Sequence, residues 1–345
     1  MAVLLSELAA ANGVSGAESE VRNLLRQRLA PHVDELQTDA LGNLFCLKRG
    51  SAGSVRPRIM LAAHQDEIGL MISKIEKNGL LRFRPVGSVD PRVLPGKVVL
   101  VGPWRVPGII GAKPVHLQQP EDRKKPYKTT DLFIDLGAAD EGQARQLVGI
   151  GDPVAFATAP GPFGEGMAKG KAFDDRAGCA VVAEVLKERY PFDLYGVFTV
   201  QEEVGMRGAG VAAWRLQPDL ALTFEGTTAS DVPGSPLHMR STVVGQGPAI
   251  TVMDGAVIVR WPLVQRLLAV ADREGIPCQL RRLNTGFTES GRIAVTRTGV
   301  PAVTISVPTR YIHSPVTALS LTDLENAVRL TRAFLSSIAE EGIPQ

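Results

Sequence analysis

Four short apolar runs limit what this chain can fold into: RIMLAAH (58–64), LYGVFTV (194–200), LALTFEG (220–226) and PAVTISV (301–307). Continuous apolar runs of this length suit strands buried on both faces rather than strands with one wet side. Helical segments alternate with them: DDRAGCAVVAEVLKERY, GAGVAAWRL, a long portion of AVIVRWPLVQRLLAVADREG, and LENAVRLTRAFLSSI near the end. Strands alternating with helices predict an α/β fold, a mainly parallel sheet flanked by helices on both faces. Two capping boxes are expected at helix starts, Ser15 with Glu18 and Thr322 with Glu325; Pro31 is expected to close the first of these helices.

From about residue 72 the texture changes. KNGLLRFRPVGSVDPRVLPGKVVLVGPWRVPGIIGAKPVHLQQ is dense in Gly and Pro, with short β-prone stretches at close spacing. That pattern belongs to a small all-β barrel or sandwich. Residues 72–166 are therefore expected to form an inserted all-β domain. The segments 1–71 and 167–345 would fold together as one discontinuous α/β domain.

Composition excludes several function classes. The formal net charge of +2 is too near balance for a nucleic-acid binder, and the densest basic run, RKKPYK (123–128), reads as a solvated loop. Cys46, Cys179 and Cys278 are widely spaced and form no CxxC, which fits a reducing compartment. The first residues, MAVLLSELAAANGVSG, lack a basic n-region and carry Glu7 within their apolar stretch. No apolar run approaches the length of a bilayer span, so a cytoplasmic protein without membrane contact is expected.

Open α/β sheets place their sites beyond the carboxyl ends of the strands. After IMLAA come His64, Asp66 and Glu67; after YGVFTV come Glu202 and Glu203; Glu225 follows LALTF, and His313 lies in PTRYIH after AVTISV. Asp174 and Asp175 open the helix that begins FDDRAG. Histidine nitrogen with carboxylate oxygen suits zinc, cobalt or manganese. Five such ligands exceed the needs of one catalytic zinc and match two divalent metals sharing a carboxylate. Adjacent glutamates then gain a purpose: one holds a metal and the other takes a proton from the attacking water, with the nearby dication offsetting their repulsion. Spacing alone does not say which is which. Taken singly, each residue has a plainer reading, a helix-dipole partner for the Asp pair or a solvated corner for the Glu pair.

The stretches GVSGAE, DALGNL, LAAHQDEIGLMI, GKAFDDRAGCA, QEEVGMRGA and RYIHSPVTALSLTDLENAV, in this order, resemble the M42 family of metallo-aminopeptidases, the glutamyl, deblocking and tetrahedral aminopeptidase group. The likeness runs from near residue 4 to near 335. It implies a zinc-exopeptidase-like fold in which His64 and His313 each bind one metal and Asp174 bridges the two. Glu203 and Glu225 would complete the metal sites, Glu202 would be the general base, and Asp66 would orient His64 from behind. The inserted β domain would mediate dimerisation, with dimers able to assemble into a tetrahedral shell.

Two positions depart from the family pattern. Glu225 stands where relatives commonly carry Asp, and in GFTESG (286–291) Thr288 and Glu289 occupy the Thr-Asp positions of a segment near the substrate. Both changes keep the acid. The expected reaction is removal of N-terminal residues from peptides, with a metal-bridging hydroxide as nucleophile and Glu202 as base. The rivals are a two-metal carboxypeptidase or deacylase, which Glu225 favours, and a non-catalytic metal-binding scaffold. A serine or cysteine hydrolase is disfavoured: there is no GxSxG elbow, and Cys179 falls within an apolar helix.

Overall fold

The computed structural model describes residues 1–51, 53, 56–282 and 286–344. At its centre four parallel strands lie in the order Asp193–Thr199, Arg58–His64, Leu220–Thr228 and Ala302–Arg310. Antiparallel strands extend this sheet on both sides, Glu35–Thr38 and Leu44–Lys48 at one edge and Thr317–Ser320, Met167–Gly170 and Gly161–Pro162 at the other. The short strands Ala249–Thr251 and Gln279–Arg281 branch from Ala302–Arg310.

The apolar runs are buried on both sides because side chains alternate along a strand. Ile59, Leu61 and Ala63 enter one core, together with Leu222, Phe224 and the helices Ala2–Ala10, Ser19–Leu29, Phe173–Val185, Trp261–Arg273 and Leu321–Glu341. Met60, Ala62, Val197 and Ala221 enter the opposite core, where Ala209, Ala212 and Ala213 bring the helix Arg207–Leu216 against the sheet. The register aligns the strand ends: His64 pairs with Thr199, and Glu225 lies two residues beyond the Thr223–Ala62 pair, level with His64.

Six antiparallel strands, Gly69–Ile75, Leu81–Val86, Leu132–Asp135, Val106–Ala112, Val98–Val101 and Pro153–Phe156, close into a barrel in that spatial order. It has its own core, including Ile72, Phe83, Val99, Ile110 and Phe156. Gly87, just past the second barrel strand, leans on the α/β body: a Cβ there would sit 3.3 Å from Glu203 Cβ. Among the described residues no helix is long and apolar enough to cross a membrane.

Neither expected capping box forms. The second helix begins at Ser19 without a side-chain cap, because the Ser15 hydroxyl donates instead to Asp66 Oδ2 at 2.6 Å. The last helix begins at Leu321, one residue earlier than expected, where the Ser320 hydroxyl accepts the Asp323 N–H at 3.2 Å. In both places a tertiary or strand-end partner overrides a local Ser/Thr–Glu spacing.

Candidate metal centre

The carboxyl ends of the four central strands and the start of the helix Phe173–Val185 bring two histidines and a set of acids together. His64 is 1% exposed, and its Nε2 lies 3.4 Å from Asp174 Oδ1 and 3.5 Å from Glu225 Oε2. His313 Nε2 lies 3.3 Å from Asp174 Oδ2 and 3.5 Å from Glu203 Oε2. Asp174 thus offers one oxygen to each group of three. Separations of this size are long for hydrogen bonds. They equal the edge of a tetrahedron of donors about 2.0–2.1 Å from a common centre, which is about 3.4 Å. The donor set and its spacing fit a metal ion in each group.

The backbone explains the placement. Asp174 and Asp175 sit in the helix's first turn with non-helical dihedrals, and their side chains divide the work. Asp174 Oδ1 accepts the Gly226 N–H at 3.1 Å, and a Cβ on Gly226 would lie 2.8 Å from Asp174 Cβ, so the strand can approach this closely only with glycine there. Asp175 accepts the His64 N–H at 3.2 Å and the Gly178 N–H at 2.8 Å, tying the helix start to the strand end. The helix-terminus reading thus describes Asp175, while Asp174 faces the histidines.

Asp66 sits behind this cluster. Its Oδ1 lies 3.4 Å from His64 Nδ1 and accepts the Glu202 N–H at 2.9 Å; its Oδ2 accepts the Glu203 N–H at 3.2 Å and the Ser15 hydroxyl. Asp66 therefore orients the imidazole, its backbone carbonyl 3.2 Å from His64 Nδ1 with the carboxylate behind, and its carboxylate also fixes the backbone of the glutamate pair. The pair then diverges. Glu203 joins the His313 group, whereas Glu202 Oε2 stays 4.0 Å from His64 Nε2 and belongs to neither group of three.

The electrostatics are those of a crowded acidic site. Burial, with repulsion from Asp174, pushes the Glu203 carboxyl up to about 8. Burial and the neighbouring Glu225, Glu203 and Glu289 push Glu202 well above the usual carboxylate range, and burial with Asp174 raises Glu225. Burial opposes the charged imidazole of His313, but Asp174 and Glu203 outweigh it and hold its pKa up at about 9. Asp174, between two imidazoles, is held far below the usual range despite burial. Raised acids around two basic imidazoles are what a bound dication reverses, since it favours every deprotonated ligand.

The acids open into a cleft of about 410 Å³ whose walls include Ser88 from the barrel side, Met206, Arg281, Phe287 and Thr288. Thr288 faces this space. Glu289 does not: it is fully buried, its Oε1 accepts the Thr199 hydroxyl at 2.6 Å, and its N–H donates to Glu225 Oε1 at 3.0 Å. Its link to the site is through Glu225, not through the cleft.

Sequence reasoning missed a buried ionic knot beneath the site. Lys171 Nζ donates to Glu67 Oε1 at 2.6 Å and to the Ala11 carbonyl at 2.8 Å. Arg176 donates to the carbonyls of Leu8 and Gln65 and lies 3.4 Å from Glu67. The knot docks the first helix onto the segments that carry His64 and Asp174. Glu67 was visible beside Asp66, but its partner Lys171 lies 104 residues away, beyond any local pattern. Ser15 was read as a helix cap for the same reason, since its partner Asp66 lies 51 residues away.

The sequence profile of the M42 glutamyl aminopeptidases matches residues 42–330. The chain is 31% identical over 346 residues to a lysyl aminopeptidase of Pyrococcus furiosus, covering 97% of this chain and 96% of the relative. Its fold is similar to that of a TET aminopeptidase from a marine sediment thaumarchaeon, with a TM-score of 0.94 at 39% identity, covering 99% of this chain and 97% of that one. It is also similar to the TET1 peptidase of Pyrococcus horikoshii, described as assembling into a tetrahedron or a large octahedral shell, with a TM-score of 0.86 at 31% identity over 97% of this chain and 99% of that one. The chain belongs to the M42 glutamyl aminopeptidase family of peptide hydrolases.

Proposed function

We propose that the protein is a two-metal aminopeptidase that removes residues from the N-termini of peptides. The observation that carries this reading is Asp174, whose two oxygens lie 3.4 and 3.3 Å from two different histidines, with a second acid completing each group. His64, Asp174 and Glu225 would hold one ion, and Asp174, Glu203 and His313 the other, as zinc, cobalt or manganese. Bound there, the ions supply Lewis acidity to the scissile carbonyl and lower the pKa of water.

The chain's own groups do the rest. Glu202, beside both metal groups but in neither, takes the proton from the attacking water and returns it to the leaving amine. Its raised pKa suits a group that must first accept and then donate. Asp66 keeps Glu202 in place through its backbone N–H and sets the His64 ring through Nδ1, the support that metal-bound histidines generally need.

Residues 1–71 and 167–345 would form the catalytic domain and 72–166 the dimerisation domain. Its barrel exposes Val98, Ile109 and Trp104, apolar side chains of the kind that partner copies cover. The similarity to shell-forming TET peptidases supports a homodimer or a higher assembly.

The test is a panel of Leu-, Glu-, Lys- and N-acetyl-blocked peptides, offered to protein stripped of metal and then reloaded with zinc, cobalt or manganese. Metal-dependent release of free N-terminal residues, absent from blocked peptides, is expected. Release from the C-terminus, or of acyl groups alone, would move the protein to the carboxypeptidase or deacylase class; metal uptake with no hydrolysis would make it a scaffold.

A further inference from the structure

The cleft wall at Thr288 and Arg281 is built around one buried carboxylate that has no part in the metal groups. Asp254 lies in the turn that follows the strand Ala249–Thr251 and is 6% exposed. Its Oδ1 accepts the N–H groups of Ala256 at 2.7 Å and Val257 at 3.0 Å. Its Oδ2 accepts the Thr288 hydroxyl at 2.7 Å and lies 3.9 Å from a terminal guanidinium nitrogen of Arg281. The neighbouring Gly255 N–H donates to the Gly286 carbonyl at 2.9 Å, so the turn and the wall segment are joined by backbone as well. Thr288 and Arg281 both line the cleft, and Arg281 is the only lysine or arginine that does so among the described residues.

The charge arithmetic at this wall is simple. A guanidinium facing the cleft attracts an acidic substrate side chain and repels a basic one, in a site where low solvent access strengthens both effects. Asp254 stands directly behind it with the opposite charge. The pair is close to neutral when seen from the cleft.

We propose that Asp254 is a specificity-determining residue: by pairing with Arg281 it masks the only lysine or arginine of the cleft wall among the described residues, so that the enzyme accepts uncharged N-terminal side chains instead of selecting acidic ones. This rests on the aminopeptidase reading of the same cleft. A role limited to bracing the wall would change all substrates alike; masking changes them according to charge.

The experiment compares kcat/KM for Leu-, Glu- and Lys-peptides in wild type, Asp254→Asn, Arg281→Met and the double variant. Asn keeps an oxygen for the two N–H groups, and the Thr288 hydroxyl retains Ser290 at 2.8 Å and Thr304 at 3.1 Å, so the turn is expected to hold. In Asp254→Asn the Glu/Leu ratio should rise about tenfold and the Lys/Leu ratio should fall, as expected for unmasking one charge a few ångströms from the substrate. The double variant, uncharged at this wall like the wild-type pair, should return both ratios to near wild type, whereas Arg281→Met alone, which leaves Asp254 unpaired, should lower the Glu/Leu ratio and raise the Lys/Leu ratio. An equal loss on all three peptides, or a double variant that keeps the shift of Asp254→Asn, overturns the proposal. Binding of the three peptides to metal-loaded protein, measured calorimetrically, reads the same ratios without turnover. A wild type that hydrolyses none of them but shows the binding shift refutes the enzymatic reading and leaves the masking intact, whereas unchanged binding ratios refute the masking. Should Asp254→Asn fail to fold, Arg281→Met alone must lower the Glu/Leu ratio and raise the Lys/Leu ratio, because it leaves the Asp254 charge unpaired; unchanged ratios overturn the proposal.

Discussion

Reloading the metal-free protein should release protons in an amount that the geometry sets. In the absence of metal, Glu203 is held up to about 8 and His313 at about 9. At pH 7 the first is about 0.9 protonated and the second carries almost a full proton. A metal ligand must give up its proton, so filling the His313 group alone should release about two. His64, raised by Asp174, Asp66 and Glu225 against the effect of burial, adds to the total when its own group fills. Well below those pKa values, the apparent affinity of the His313 group should rise about 100-fold per pH unit, flattening above about pH 9. Calorimetric titration with zinc in two buffers of different ionisation enthalpy gives the proton count directly. The same shift has a stability consequence of fixed sign. Between the unfolded value of 4.5 and the folded value of about 8, the native metal-free state holds a proton on Glu203 that the unfolded chain has lost. Its contribution is therefore complete below about pH 4.5 and is lost as pH rises through 8, so the metal-free protein should weaken over that range. Release of less than about one proton at pH 7, or an affinity flat from pH 6 to 8, would refute the account of the site as a cluster of ligands that are protonated until metal arrives.

Glu202→Gln should lower kcat by about 10²–10⁴ with metal content unchanged by elemental analysis, because the amide cannot accept a proton; loss of metal from that variant would instead make Glu202 a ligand. Glu289 is buried, and burial together with Glu225 raises its carboxyl to about 8, so it is neutral at pH 7, and Glu289→Gln should match wild type only near pH 4.5 and already be the more stable of the two at pH 6, where the unfolded carboxyl has lost its proton. Its contribution too is lost as pH rises through 8, so the variant should gain about 2–3 kcal/mol relative to wild type between pH 6 and 9. Denaturant unfolding at the two pH values measures this, and a constant difference would show that Glu289 does not carry the proton assigned to it.

Much of the fold could be read from the chain because burial on both faces leaves a mark in sequence. RIMLAAH is apolar throughout since Ile59, Leu61 and Ala63 meet one core while Met60 and Ala62 meet the other. The same logic marks the candidate site: a strand buried on both faces gives way to polar residues near its carboxyl end, and His64, Glu202, Glu203 and Glu225 are among those residues. What stayed hidden depends on side chains that meet across long separations. Ser15 resembles a helix cap by spacing, but its hydroxyl is drawn to an acid 51 residues away. Glu289 was placed at the substrate because its neighbour Thr288 is there; one residue later the chain has entered the helix Glu289–Ala294, and the side chain turns inward to Thr199. Neither outcome has a periodicity that a sequence can display.

The glutamate pair shows how such hidden contacts decide chemistry. Two adjacent carboxylates past a strand end would ordinarily splay into water, since nothing local rewards holding them inside. Here Asp66 accepts the backbone N–H of both, so the turn is fixed without using either side chain. Both carboxylates are then left to point where the fold aims them, Glu203 toward His313 and Glu202 toward His64. That separation gives one acid to each side of Asp174 and leaves one of them outside the ligand groups. Asp66, buried behind His64 and anchored by Ser15, fixes the backbone from which the two glutamates diverge, so the proposed division between ligand and base rests on it as well as on the glutamates.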